Sequence, residues 1–419
     1  MSIIFFGITS ESHIANNIDN WISIAGTPDI FSERDDHIAK YQTKLLNKYE
    51  VVTIDEALKR FPNANVWVTY PKVGYIPGML AKKLPTNRIH FLEADLEYRK
   101  GCKYLGKFML YREGSFSPCC VTGHMPSFKV SGSVKERVIK WQSVTTKLIE
   151  AAQLDSQNKC KNCHMLKSDF WRKSVRLNML SLASNNRGDV CNFKCVYCFA
   201  QDSLKQTRDS KNGISAYEIL QQLYEVPELD KEDLTLLISN GEFCANKHCD
   251  EMLDIFLKTN WKMDLTSNCS IYREKLESLM ESGRVVSIVT SIDAGTRETF
   301  KKIKRNDMFD KVVENLRRYP LSKTRLHLKY IFLEGINDNE ADINGFYDIA
   351  KEVNGIIMFS SNLTKPYTPK MRELALMIAK RAKADGVEIS TGGNFLHPDD
   401  ARFINENYKS AASPPLANQ

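Results

Sequence analysis

From about residue 172 the chain alternates short apolar runs with longer stretches of helical period. The runs are Val175 to Leu182, Leu234-Thr235-Leu236-Leu237-Ile238, Lys262 to Thr266, Val285 to Ser291, Leu326 to Leu333 and Ile356-Ile357-Met358-Phe359. Between them, Ser215 and Glu218 make a capping box, and Phe309, Val312, Val313 and Leu316 recur at helical spacing. A helix from Met371 to Asp385 is predicted to end at Gly386, before a short strand at Val387-Glu388-Ile389. Strands that alternate with helices make β/α units, and those units build a parallel sheet.

The amino-terminal part has a similar but shorter rhythm. Ile3 to Phe6, Val51 to Ile54, Val66 to Thr69 and Ile89 to Leu92 read as strands, and Asp55 as the N-cap of a helix through Lys59. This predicts a small α/β layer domain over residues 1–98. Gly7 follows the first strand alone, without a G-x-G-x-x-G pattern, and is weak support for a dinucleotide site. A helix is also predicted from Ser133 to Ala152, with Val134, Val138, Trp141, Thr145 and Leu148 near one face. The predicted divisions are thus 1–98, 99–170, 171–400 and a carboxyl-terminal tail at 401–419, mobile from Ala411 on.

Composition narrows the possibilities. The 419 residues are 42% hydrophobic and 26% charged, as in ordinary globular chains. A net charge of +7 is mild, and no basic run interleaved with aromatics points to nucleic acid. No apolar stretch reaches membrane-spanning length, and Met1-Ser2-Ile3-Ile4-Phe5-Phe6 lacks the basic start of a signal peptide. Eleven cysteines without an export signal suit metal ligation in a reducing compartment, so a cytoplasmic location is expected.

Three of those cysteines carry the chemistry. Cys191, Cys195 and Cys198 are spaced C-x3-C-x2-C after the first strand of the repeat, with Tyr197 before the last. Thiolates suit iron–sulfur clusters, and three ligands on a four-iron cluster leave one iron open. A zinc site would more often use paired C-x2-C units and four ligands. The spacing resembles the radical SAM superfamily. The resemblance implies a [4Fe-4S] cluster on Cys191, Cys195 and Cys198 whose open iron chelates S-adenosylmethionine, and it covers residues 172–365. It further implies cofactor contacts at the ends of later strands. Ser239-Asn240-Gly241-Glu242-Phe243 resembles the Gly-Gly-Glu-Pro segment that holds the methionine amino group. Ser291 and Asp293 resemble the fourth-strand pair near the ribose, with Tyr197 and Asn268 in the same pocket. Lys329 is a candidate partner for the methionine carboxylate, and Ser360-Ser361-Asn362 for adenine.

A second cysteine set precedes the first. Cys102, Gly114 and Cys119 have the spacing C-x11-G-x4-C, and Cys160-Lys161-Asn162-Cys163 follows later. This resembles the SPASM and twitch auxiliary-cluster domains, here placed before the core over residues 102–163. The resemblance implies a second, auxiliary [4Fe-4S] cluster on Cys102, Cys119, Cys160 and Cys163. The first two would sit on a β-hairpin formed by Lys107 to Tyr111 and Phe116. Cys120 competes with Cys119, and spacing favours Cys119. Asp169 stands where a further SPASM cysteine would fall. A zinc site from the same thiols remains the alternative.

The combined expectation is an α/β chain. A partial (β/α)6 radical SAM barrel is preceded by a small Rossmann-like α/β domain and a twitch-like cluster segment. The first domain is similar to small Rossmann-like modules of surface-polysaccharide pathways, a likeness resting on strand order and on Asp35-Asp36 followed by Lys40. The implied function is reductive cleavage of S-adenosylmethionine to a 5′-deoxyadenosyl radical that takes hydrogen from a substrate. An electron donor such as flavodoxin or ferredoxin is implied. A saccharide or nucleotide sugar is the expected substrate, with peptide modification as the alternative. A non-catalytic iron–sulfur protein is the reading of another class. Cys244, Cys249 and Cys269 remain, and the first and last stand just past strand ends, as hydrogen-atom relays or as small core residues.

Overall fold

The computed structural model describes the chain apart from residues 1, 7–20, 24, 26–27, 34–50, 70–75, 92–95, 103, 113–114, 120–126, 131, 155–159, 161–162, 164–165, 173, 183–186, 203, 206–213, 227–228, 230–233, 240, 363–364, 391–395 and 409–419. Gly7, Asp35, Asp36, Lys40, Gly114, Cys120 and Asn240 lie outside the described residues. Two compact units emerge among the described residues: residues 1–106 with 146–175, and residues 107–145 with the chain from 176 on. The division therefore does not follow the expected 99–170 segment. It splits that segment within the helix Val134–Gln153.

The first unit holds a five-stranded sheet of β1 (Ile3–Phe6), β2 (Ile30–Glu33), β3 (Val51–Thr53), β4 (Asn65–Val68) and β5 (Ile89–Phe91). All pairs are parallel and the order is β3-β2-β1-β4-β5, the doubly wound order of Rossmann-type sheets. Side chains alternate across β1. Ile4 and Phe6 join Val66, Val68, Leu80 and Ile89 in one core, and Phe5 packs edge-on against Trp21 and Phe31 in another. Thr53, not Asp55, caps the helix Ile54–Arg60, its hydroxyl accepting from Glu56 N at 3.1 Å. Asp55 instead pairs with Lys83, because a residue inside the first turn points its carboxylate away from the open amides. An antiparallel pair of β6 (Leu96–Gly101) and β10 (Lys167–Arg172) completes the unit.

The second unit is built on a ten-stranded sheet. Its strands are β7 (Phe108–Arg112), β8 (Ser115–Ser117), β9 (Phe128–Lys129), β11 (Met179–Ser181), β12 (Thr235–Ile238), β13 (Lys262–Thr266), β14 (Val285–Ser291), β15 (Arg325–Ile331), β16 (Ile356–Ser360) and β17 (Ile389–Ser390). The order β17-β16-β15-β14-β13-β12-β11-β7-β8-β9 is parallel from β17 to β7. The sheet is open among the described residues, as a partial barrel is. The expected hairpin forms, with Tyr111 opposite Phe116. It belongs to this same sheet, because β7 pairs parallel with β11 and buries Phe108 and Met109 beside Leu180.

Local signals hold in the helices. Ser215 and Glu218 form the full capping box, and Gly386 ends its helix in the left-handed region. The carboxyl end differs from expectation, since Pro398–Tyr408 is a helix anchored by Asp400, which accepts from Tyr367 N and Arg372.

One close approach sets the position of the helix Glu340–Glu352 beneath the end of β14. A Cβ on Gly345 would meet the Gly295 carbonyl oxygen at 2.4 Å. Alanine is favoured over glycine by roughly 1 kcal/mol in an ordinary helix interior. Forcing a methyl between two backbones costs about 1–3 kcal/mol. Gly345→Ala is therefore expected to lower the chemical-denaturation midpoint; a raised midpoint would show that the contact yields freely.

Candidate functional site

Parallel pairing brings the carboxyl ends of β11 to β16 to one edge of the sheet, where such folds place ligands. The Cys191–Cys198 loop is fastened there by backbone at both halves. Before Cys191, the Val190 carbonyl accepts from Glu242 N at 2.6 Å. Gly241 makes this approach possible: its φ is +63°, and a Cβ would lie 2.4 Å from the Val190 oxygen. In the second half, Lys194 N donates to Lys304 O at 3.1 Å and Val196 N to Ile303 O at 2.9 Å. Those carbonyls end the helix Arg297–Lys304 and lack partners within it. The loop thus satisfies the helix end, and the helix end shapes the loop.

Side chains complete the frame. Cys198 N turns back to Cys195 O at 3.1 Å, and the Gln201 amide donates to the same carbonyl. Asn192 donates to Ser270 and accepts from the Asn268 amide, each at 2.8 Å, while Asn306 donates to the Asn192 carbonyl. Phe193 packs edge-on to Phe300 at 5.8 Å. All three loop thiols are half-buried. Burial pushes the Cys191 thiol up to about 12; the Phe193 amide opposes this, and the charges of Glu242, Cys195 and Cys198 add to it. Burial also raises the Cys195 thiol, with Lys304 opposing and Asp293 and Cys198 adding. The three sulfurs are therefore near enough to feel one another. No group of His, Cys, Asp or Glu among the described residues is already arranged around a single ion.

The two expected carboxylates are both internal. Glu242 is 1% exposed and accepts from Cys244 N, the Ser267 hydroxyl and Asn268 N at 3.2, 2.8 and 2.5 Å. Burial raises its pKa and these donors oppose the rise. Its place is a clasp between the ends of β12 and β13. Asp293 is fully buried at φ +57°, and its carboxylate accepts from Ile331 N at 2.7 Å, from the Tyr197 hydroxyl at 2.5 Å and from the Lys304 ammonium. Ser291 stands opposite Lys329 in the β14–β15 register, and burial lowers the Lys329 pKa while the Asp293 charge opposes it. Ser360 and Ser361 are buried, and Ser361 accepts from His397 N.

Several residues of this frame went unsingled in the sequence. Lys304 is the clearest, and a signal for it exists: Phe300, Ile303 and Lys304 share the apolar face of their helix, where a lysine is out of place. Asn192 and Asn337 had no such signal; Asn337 donates to the Asp293 and Ile331 carbonyls at 2.8 Å. Cys244, Cys249 and Cys269 are buried in the core, and Cys244 is raised first by its hydrogen bond to Cys249. They are covered core thiols.

In the first unit, β6 and β10 pair Gly101 with Lys167, which brings Cys102 toward Leu166, whose N bonds Cys163 O at 3.0 Å. Cys163 N bonds Cys160 O at 2.9 Å. Burial pushes the Cys160 thiol up to about 11, with the charges of Cys102 and Cys163 adding. Cys119, just past β8, belongs to the second unit.

Residues 185–346 match the family model of the Radical SAM superfamily. An uncharacterised protein of Methanocaldococcus jannaschii is 26% identical over 166 residues, 39% of this chain and 50% of that protein. A GTP 3′,8-cyclase of Desulforamulus reducens is 28% identical over 170 residues, 39% of this chain and 50% of the relative. The chain spans about half the length of these curated relatives. The crystal structure of Streptococcus suis SuiB aligns with a TM-score of 0.40 at 12% identity, covering 63% of this chain and 56% of that one.

The donor set fits an iron–sulfur cluster: three soft sulfurs on one anchored loop at the strand-end edge. Ligands bind as thiolates, so the raised Cys191 and Cys195 thiols would each give up a proton if they took up a cluster. Cluster retention against a chelator is expected to strengthen as pH rises from about 6.5 to 8.5, the range below the raised thiol pKa values. Retention that weakens over that range would contradict the ligand assignment.

Proposed function

With a radical SAM domain at residues 185–346 as the premise, we propose that this chain is an enzyme that cleaves S-adenosylmethionine and abstracts hydrogen from a nucleotide-like or saccharide substrate. The observation that carries the proposal is the direct bond between Val190, next to Cys191, and the Gly241-Glu242 turn. It joins the thiol loop to the strand ends that the resemblance gives to the cofactor. A [4Fe-4S] cluster on Cys191, Cys195 and Cys198 would supply one electron to the bound sulfonium, splitting its carbon–sulfur bond to methionine and a 5′-deoxyadenosyl radical.

The chain's own residues hold, orient and shield. Glu242 and Gly241 keep the loop against the sheet. Asn268 and Ser291 present amide and hydroxyl groups that suit an amino acid and a ribose. Lys329, whose ammonium is weakened by burial, suits the methionine carboxylate. Asp293 supports the cysteine loop through Tyr197. Electrons would come from an external carrier of flavodoxin or ferredoxin type. Among the described residues no helix is long and apolar enough to cross a membrane.

Two features support a nucleotide or nucleotide-sugar substrate over a peptide. The first unit has the strand order of nucleotide-binding sheets, and a relative bears the name GTP 3′,8-cyclase. A second cluster held by Cys102, Cys160 and Cys163 of the first unit is also proposed. Its support is the shared electrostatic neighbourhood of these three.

Cys191→Ala is expected to abolish formation of 5′-deoxyadenosine from S-adenosylmethionine and dithionite; turnover at the wild-type rate would refute the proposal. Iron analysis should give about eight irons per chain for two four-iron clusters and about four after Cys160→Ala with Cys163→Ala. About four irons in both proteins would remove the auxiliary cluster and leave the first intact.

A further inference from the structure

The helix Arg297–Lys304 buries a lysine under the cysteine loop. Lys304 is 2% exposed in its side chain and ion-paired to Asp293, which is 0% exposed. Its ammonium also donates to the Tyr197 hydroxyl at 2.7 Å and lies 5.1 Å from the centre of that ring. The ring itself rests on Ile303, Ile331 and Leu333. The same helix end accepts the loop amides of Lys194 and Val196.

A buried ion pair rarely adds stability by itself, because removing two charges from water costs about what their attraction returns. Here the surroundings over-determine the pair. Asp342 accepts from Gly295 N, Thr296 N and both threonine hydroxyls, of Thr296 and Thr299, and so fixes the start of the helix. Ile331 N fixes the second Asp293 oxygen. The ammonium is thus held at one point, against the residue between the second and third loop cysteines. Among the charges acting on the Cys195 thiol, Lys304 is the largest.

We propose that Lys304 is a positioning residue for the cysteine loop: its ammonium, aligned by Asp293, holds the Tyr197 hydroxyl and sets a fixed positive charge beside Cys195 that raises the reduction potential of a bound cluster. This deepens the reading in which Cys191, Cys195 and Cys198 hold that cluster, and rests on it. A positive charge near a cluster favours the electron-rich state, as charge and hydrogen bonding near the sulfurs do generally. Tyr197 transmits the position and Lys304 supplies the charge.

The test is an electron-paramagnetic-resonance redox titration of the full chain, reconstituted anaerobically and free of S-adenosylmethionine. Wild type is compared with Lys304→Met, Lys304→Arg and the double variant Asp293→Asn with Lys304→Met, each with iron counted. Lys304→Met is expected to shift the potential of the Cys191 cluster to more negative values, and Lys304→Arg to keep it near wild type. Should Lys304→Met alone fail to fold, the double variant leaves no buried charge unpaired and is expected to show a smaller negative shift, because Lys304 is the larger of the two opposed charges acting on Cys195. Wild-type potential in the methionine variants, or an arginine variant as negative as the methionine one, would overturn the role of Lys304. A wild-type chain that takes up no cluster on Cys191, Cys195 and Cys198 would instead overturn the underlying reading, and this proposal with it.

Discussion

Parallel pairing is the constraint from which the site follows. Each strand from β11 to β16 must return by a crossover before it can pair in parallel with the next. Every carboxyl end therefore opens on one edge, and the loops leaving those ends meet. The Cys191–Cys198 loop leaves β11, receives Glu242 from the end of β12, and is tied through Asn192 and Asn268 to the end of β13. Tyr197 reaches Asp293 past the end of β14. Four strand ends thus hold one loop, with backbone hydrogen bonds doing much of the fastening.

Charge inside the protein is handled by enclosure. Glu242 and Asp293 are both out of water, and each carboxylate is surrounded by protein donors. An unpaired carboxylate at either place would be expensive. The Glu242 carboxylate clasps the ends of β12 and β13, and the Asp293 carboxylate holds Tyr197 of the loop. Asn268, Ser291 and Lys329 are less deeply enclosed than either carboxylate.

Much of this was legible from short-range pattern. The C-x3-C-x2-C spacing, the capping box at Ser215 and the left-handed Gly386 are local, and local chemistry decides them. The alternation of strands and helices announced the parallel sheet, and Lys107 to Tyr111 with Phe116 announced a hairpin. What the pattern could not carry was pairing between distant segments. β7 joins the main sheet through β11, some seventy residues on, so the expected auxiliary segment divides between two units. The β6–β10 ladder, which brings Cys102 towards Cys160 and Cys163, is likewise long-range. Asp55 lost the cap to Thr53 by two positions, a boundary error that turns on which side chain points back to the open amides. Lys304 was readable in principle, as a cation on an apolar helical face, but its partner Asp293 is brought to it only by the fold.

The central claim is that three thiolates on one anchored loop leave an iron corner free for a nucleoside sulfonium. It is tested most directly by adding S-adenosylmethionine to the reduced, reconstituted protein and recording the electron paramagnetic resonance spectrum. The g-values of one cluster are expected to move with saturable dependence on the added compound. A spectrum unchanged at saturating S-adenosylmethionine, in a chain with that cluster fully loaded, would contradict it.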